Sequence, residues 1–129
     1  MKIEHFAINV SDPAGMAQWW SKNLGLKIIR ADTDGAFVHF LSDDGDQTLI
    51  EIYNNPAGEI PDYPNLSIFT FHIAFAVDDI TAECERLLSA EATSASDMLT
   101  MENGDKMRFV RDPWGVCIQF LQRAKPLIG

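Results

Sequence analysis

His5-Phe6-Ala7-Ile8-Asn9-Val10-Ser11-Asp12 and His72-Ile73-Ala74-Phe75-Ala76-Val77-Asp78-Asp79 are one pattern written twice, 67 residues apart. Both begin with histidine and share alanine, valine and aspartate at the same places. Each alternates with period two. Phe6, Ile8 and Val10 take one face and His5, Ala7 and Asn9 the other; Ile73, Phe75 and Val77 stand opposite His72, Ala74 and Ala76. That is the pattern of a half-buried strand. Each strand then meets an aspartate that can cap a helix, Asp12 before Pro13 and Asp79 before Ile80. Any strand followed by an Asp-capped helix would align to some degree, but element type does not predict a histidine at both strand starts. The chain therefore reads as α+β, one domain over residues 1–129 made of two copies of one module.

The rest of the pattern extends both copies. Met16, Trp19 and Trp20 recur at helical spacing, and Gly25 after Leu24 reads as the helix stop. Strands follow at Lys27–Arg30, Ala36–Leu41 and Thr48–Tyr53, with turns at Asp34-Gly35 and Asp43-Asp44-Gly45. Module one spans about 1–55. Residues 54–67, with Asn54-Asn55-Pro56, Gly58, Pro61 and Pro64, read as a connector. Module two spans about 68–124. Its first strand runs from Phe69 to Val77, and its helix carries the stripe Ile80, Cys84, Leu87 and Leu88. A polar stretch over 89–105 holds one short strand around Met98–Met101. Strands at Lys106–Arg111 and Val116–Leu121 are joined by the turn Asp112-Pro113-Trp114-Gly115. At an offset of 68, Ile50-Glu51-Ile52 falls on Ile118-Gln119-Phe120.

Composition narrows the partners. Nineteen acidic against ten scattered basic residues give a net charge of −9. Counterion release from nucleic acid, like attraction to an anionic membrane, needs clustered Lys and Arg. No nucleic acid and no membrane are expected; a small molecule is the expected partner. The N-terminus runs straight into a strand, leaving no room for a secretory leader. Cys84 and Cys117 form no CxxC pair, so a cytoplasmic, reducing location suits the chain.

The candidate chemistry lies on the strand faces away from the helices. His5 is in phase with Ala7 and Asn9, His72 with Ala74 and Ala76, Glu51 with Leu49 and Tyr53, and Gln119 with Cys117 and Leu121. One face of each sheet packs under its helix; the other, lined by small residues and a polar group, forms a concave pocket. If a pseudo-two-fold relates the modules, His5 pairs with His72 and Glu51 with Gln119. Two imidazoles and a carboxylate suffice for a divalent first-row metal. Gln119 reads equally well as a weaker fourth ligand or as a pocket liner. His39 has no counterpart in the other copy and reads as a structural or pocket-wall residue. Trp19 and Trp20 fill the core, with Trp20 also a candidate for a subunit contact. Arg108 and Arg111 read by default as exposed charge, with an anionic substrate as the alternative.

The run His5…Asn9-Val10…Asp12-Pro13…Trp19-Trp20…Asn23-Leu24-Gly25-Leu26 resembles the opening of vicinal oxygen chelate proteins. That superfamily includes glyoxalase I, bleomycin resistance proteins and extradiol dioxygenases. Phe109-Val110-Arg111-Asp112-Pro113-Trp114-Gly115-Val116-Cys117-Ile118-Gln119 is similar to the family's final hairpin. The resemblance implies paired βαβββ modules curled around a metal centre (Ni, Zn, Co, Mn or Fe) and a homodimer. It places His5, Glu51 and His72 at the family's first three ligand positions. At the fourth, glyoxalase-like members usually carry glutamate, whereas this chain has Gln119, which has no titratable group. Glu51 is then the lone catalytic base. The resemblance implies a glyoxalase-like metal-dependent lyase or isomerase acting on a small carbonyl compound that chelates the metal. The alternative is a metal-free, drug-sequestering protein of the bleomycin-resistance kind, for which the acidic charge suits a cationic ligand.

Overall fold

The computed structural model describes residues 1–128. The chain divides into two compact units, Met1–Pro61 and Asp62 to the C-terminus, and the boundary falls inside the expected connector.

In the first unit β1 (His5–Asn9) leads into α1 (Pro13–Leu24), followed by β2 (Lys27–Ala31), β3 (His39–Ser42) and β4 (Leu49–Tyr53). Asp12 caps α1 by accepting from the Gly15 amide at 3.0 Å, and Gly25 ends it in the left-handed conformation, at φ 70°. The sheet order is β1-β4-β3-β2, with β1 and β4 parallel and the other pairs antiparallel. α1 lies on one face, where Met16, Ala17 and Trp20 bury themselves with Ile8, Leu41, Ile50 and Ile52. Trp20 is 0% exposed, so the subunit contact considered for it is overturned: the whole indole is core.

The second unit repeats this order. It contains β5 (Ile73–Ala76), α2 (Ile80–Leu88), β6 (Thr93–Ser94), β7 (Leu99–Thr100), β8 (Lys106–Arg111) and β9 (Cys117–Gln122). The sheet order is β5-β9-β8-β6, again with the first and last strands parallel. β6 and β7 both pair with β8, so the strand that is continuous as β2 in the first unit is broken in two here. The expected strand at Met98–Met101 is thus the second fragment of a split strand. Asp79 caps α2 through the Ala82 amide, and Ile80, Cys84 and Leu87 bury its inner stripe. Neither sheet closes on itself.

Two strand starts differ from expectation. β5 begins at Ile73, not Phe69, because the Thr70 and Phe71 amides both donate to the Ser67 carbonyl and the Phe69 amide donates to Ser67 Oγ. The chain turns there and leaves Phe69 82% exposed. β3 begins at His39, not Ala36, because Phe37 sits at φ 51° with its amide bonded to the Asp34 carbonyl. Within the connector, Tyr63–Asn65 forms a 3₁₀ turn that periodicity did not signal. Among the described residues, no helix is long and apolar enough to cross a membrane.

Candidate functional site

Strand register decides which side chains share a face. In the first unit Ala7 stands opposite Glu51, Glu51 opposite Phe40, and Phe40 opposite Arg30. Cross-strand partners point the same way, so Arg30, Phe40 and Glu51 lie with Ala7 and His5 on the face away from α1. His39 stands opposite Ile52, on the buried face. Its Nδ1 donates to the Phe37 carbonyl at 2.6 Å, which makes it a structural histidine.

His5 and Glu51 form the first pair. His5 Nδ1 lies 2.7 Å from Glu4 Oε1, and a carboxylate can only accept, so Nδ1 carries the proton of the neutral ring. The lone pair is then on Nε2, which is 3.9 Å from Glu51 Oε1. Phe40 meets the His5 ring edge-to-face at 5.5 Å, and the Arg30 guanidinium lies over Phe40 at 6.0 Å. Asp32, hydrogen-bonded to Arg30, raises the guanidinium's pKa, and Glu51 adds to this. The same bond holds Asp32 below the usual carboxylate range.

The second unit presents the matching pair. Gln119 stands opposite Ala74 as Glu51 stands opposite Ala7, so the two occupy the same place in each repeat. His72 sits just before β5, and its Nδ1 donates to the Ile68 carbonyl at 2.7 Å, again leaving the lone pair on Nε2. Its ring packs edge-to-face on Phe109 at 5.2 Å. Gln119 is 8% exposed, and its NH₂ donates to Met107 Sδ at 3.6 Å. This leaves the carbonyl oxygen as the amide's accepting end.

These donors fit a divalent cation chemically. Each imidazole has one nitrogen engaged by an acceptor and the other ready to ligate, the usual arrangement of metal-binding histidines. With metal–ligand bonds near 2.1 Å, neighbouring ligands stand about 3–3.5 Å apart. The 3.9 Å between His5 and Glu51 is therefore a small side-chain rotation from that spacing. Within each unit, among the described residues, no three His, Cys, Asp or Glu side chains gather around one point. One unit offers two donors, and a metal site needs at least three.

Pattern reading missed Glu4, because a carboxylate one residue before the histidine has no periodic signature. It missed Arg30 and Phe40 because their place beside Glu51 depends on strand order. It also misjudged two arginines. Arg111 donates to the carbonyls of Tyr63, Leu66 and Gly115, and Arg108 to Ser94 Oγ and the Ser96 carbonyl. Both are structural clamps, half-buried rather than exposed. Cys84 and Cys117 are free and buried. Burial pushes both thiols up in pKa, which makes them poor nucleophiles.

A family model described as the Glyoxalase/Bleomycin resistance protein/Dioxygenase superfamily matches residues 2–120. The chain is 30% identical over 129 residues to protein YwbC of Bacillus subtilis (strain 168), covering 95% of this chain and 98% of that one. It is 25% identical over 133 residues to the lactoylglutathione lyase of Haemophilus influenzae, covering 100% of this chain and 98% of the relative. Among solved structures, a superfamily member from Sphaerobacter thermophilus superposes with a TM-score of 0.74 at 18% identity, covering 95% of this chain and 98% of that one.

Proposed function

Because the chain belongs to the glyoxalase/bleomycin resistance protein/dioxygenase superfamily, we propose that it is a metal-dependent lyase or isomerase of the glyoxalase kind. His5, Glu51, His72 and Gln119 would hold a divalent cation. The observation that carries this reading is the matched anchoring of the two histidines. Glu4 and the Ile68 carbonyl each occupy Nδ1 and leave Nε2 to ligate. When bound, the cation polarises a substrate carbonyl and acidifies the neighbouring C–H.

The protein's own part is proton transfer. Of the four donors only Glu51 can carry a proton on oxygen; Gln119 cannot titrate. Glu51 therefore takes the proton from the carbon beside the substrate carbonyl and returns it to the adjacent carbon in an isomerisation, or to the opposite face of the same carbon in an epimerisation. No oxidant is consumed, as an isomerisation requires. Glu51 is 15% exposed and His5 38% exposed, so solvent and a small substrate both reach the pair.

The test is turnover of a hemithioacetal, or epimerisation of a 2-oxo-acid thioester, by chain loaded with Ni²⁺, Zn²⁺ or Co²⁺. The expected result is metal-dependent turnover that Glu51→Gln lowers by about 10²- to 10⁴-fold, the usual worth of a positioned general base. No turnover with any metal overturns the lyase and isomerase reading.

A further inference from the structure

Asn9 and Ala76 occupy the same position in the two repeats, four residues after His5 and His72 and opposite Tyr53 and Leu121 respectively. In the first unit Asn9 latches the chain that leaves β4. Its Nδ2 donates to the carbonyls of Asn55, Gly58 and Glu59 at 3.0, 3.1 and 3.2 Å, and its Oδ1 accepts from the Asn55 amide at 2.8 Å. At the offset of 68 that carries Glu51 onto Gln119, those three residues fall on Arg123, Pro126 and Leu127. The chain leaving β9 is thus the counterpart of the latched segment, but alanine at the latch position has no side-chain donor to hold it.

Its root is nonetheless fixed. The buried Asp105 accepts from Arg123 Nη1 at 2.8 Å and from the Ala124 amide at 2.9 Å. Beyond that point, among the described residues, no hydrogen bond holds residues 125–128. Leu127 is 80% and Ile128 94% exposed, although an apolar floor lies beside them. A gap of about 420 Å³ is lined by Ala74, Ala76 and Leu121 from the sheet and by Pro126, Leu127 and Ile128 from the chain after it. Closing the gap takes two aliphatic side chains out of water and orders four residues, contributions of similar size and opposite sign. Neither position then dominates. We infer that residues 125–128 form a flap, rooted at Asp105, that opens and closes over Ala74, Ala76 and Leu121, while its counterpart in the first unit stays latched. Gln119 stands opposite Ala74, so the closed flap covers the strand beside Gln119. One consequence rests on the metal-site reading above: closure keeps water from the Gln119 side of the site during proton transfer. The motion itself does not need that reading.

The test is NMR of the full chain in chelator, reading amide order parameters and methyl NOEs. The expected result is order parameters below about 0.6 at residues 125, 127 and 128 against about 0.85 at residues 57–59, with cross-peaks from the Leu127 or Ile128 methyls to the Ala76 methyl. Position 76 is exposed and accepts a larger side chain. Ala76→Asn supplies the missing latch and should raise the flap's order parameters towards those of residues 57–59. Equal order parameters in the two segments of the natural chain overturn the proposal. Missing cross-peaks do so too, since a segment that never reaches the floor is not a flap, and a flap unchanged by Ala76→Asn overturns the latch. With Ni²⁺, Zn²⁺ or Co²⁺ bound and substrate turning over in D₂O, Leu127→Ser/Ile128→Ser should place at least about twofold more solvent deuterium in the product than the natural chain does. Equal labelling removes the flap's part in proton transfer. Absence of turnover overturns the metal-site reading instead, and the metal-free NMR still decides whether the flap exists.

Discussion

A single side chain separates the two repeats chemically: Glu51 in the first stands where Gln119 stands in the second. The carboxylate brings charge and basicity, and the amide brings only a neutral oxygen. Gln119→Glu should therefore tighten divalent metal binding by tenfold or more, while Glu51→Gln should weaken it; dialysis against a metal buffer followed by elemental analysis reads both. A neutral effect of Gln119→Glu would mean that position 119 does not ligate. The strand faces of His5, Glu51 and Gln119 were legible in the sequence because alternation sets phase whatever the tertiary structure. The supports of the two histidines were not: Glu4 is a chain neighbour without periodicity, and Ile68 acts through its backbone carbonyl. Asp105 was equally hidden. Its hydrogen bond from Arg123, with further bonds from Ala124 and Asn103, lowers its pKa below the ordinary carboxylate range. A depressed carboxylate stabilises the fold above its unfolded pKa and loses that contribution as pH falls through the folded one. The stability gap between the natural chain and Asp105→Asn should thus be full at neutral pH and shrink as pH falls below about 4, as urea titrations at several pH values would show.

Elements followed the sequence wherever hydrophobic period and capping agreed, as in α1 between Asp12 and Gly25. They departed from it where local hydrogen bonds overrode alternation. Ser67 takes Thr70 and Phe71 out of the strand that their pattern suggested, and Phe37 delays β3 by adopting positive φ. Neither leaves a mark in the apolar periodicity. The β8–β9 turn shows the same local control. Asp112 Oδ1 accepts from the Trp114 and Val116 amides, and Gly115 sits at φ 91° with Pro64 close against it. A Cβ there would meet the Pro64 backbone nitrogen at 2.7 Å. Arg111 fastens that turn to the Tyr63–Leu66 segment through three carbonyls. Arg111→Ala should cost about 2–3 kcal/mol, since charge-assisted bonds are lost and the Leu66 and Gly115 carbonyls lose their donor. An unfolding free energy, from urea titration, lowered by less than about 1 kcal/mol would make the clamp ornamental. Asp12→Ala, which removes only a helix cap, should cost about 1 kcal/mol.

For the whole chain, charge is the property that most affects a metal measurement. Nineteen acidic and ten basic residues repel one another on balance, so any cation, specific or not, relieves some self-repulsion. The ion pairs Lys27–Asp46, Arg30–Asp32 and Arg86–Glu83 are largely exposed, and such pairs contribute at most about 1 kcal/mol each. Screening should therefore help more than it harms, and the melting temperature should rise between low and about 0.5 M NaCl. The Debye length there is only about 4 Å, so diffuse cation effects are suppressed. A ligated metal is not, because its stabilisation depends on its concentration relative to its dissociation constant: about 2.7 kcal/mol at a hundredfold excess. Divalent metal added in high salt should still raise the melting temperature of the natural chain by several degrees, saturating near one equivalent. The His5→Ala/His72→Ala variant should lose that rise and keep the NaCl response. If both chains respond alike to the metal, the effect is diffuse screening, and the histidines are not its ligands.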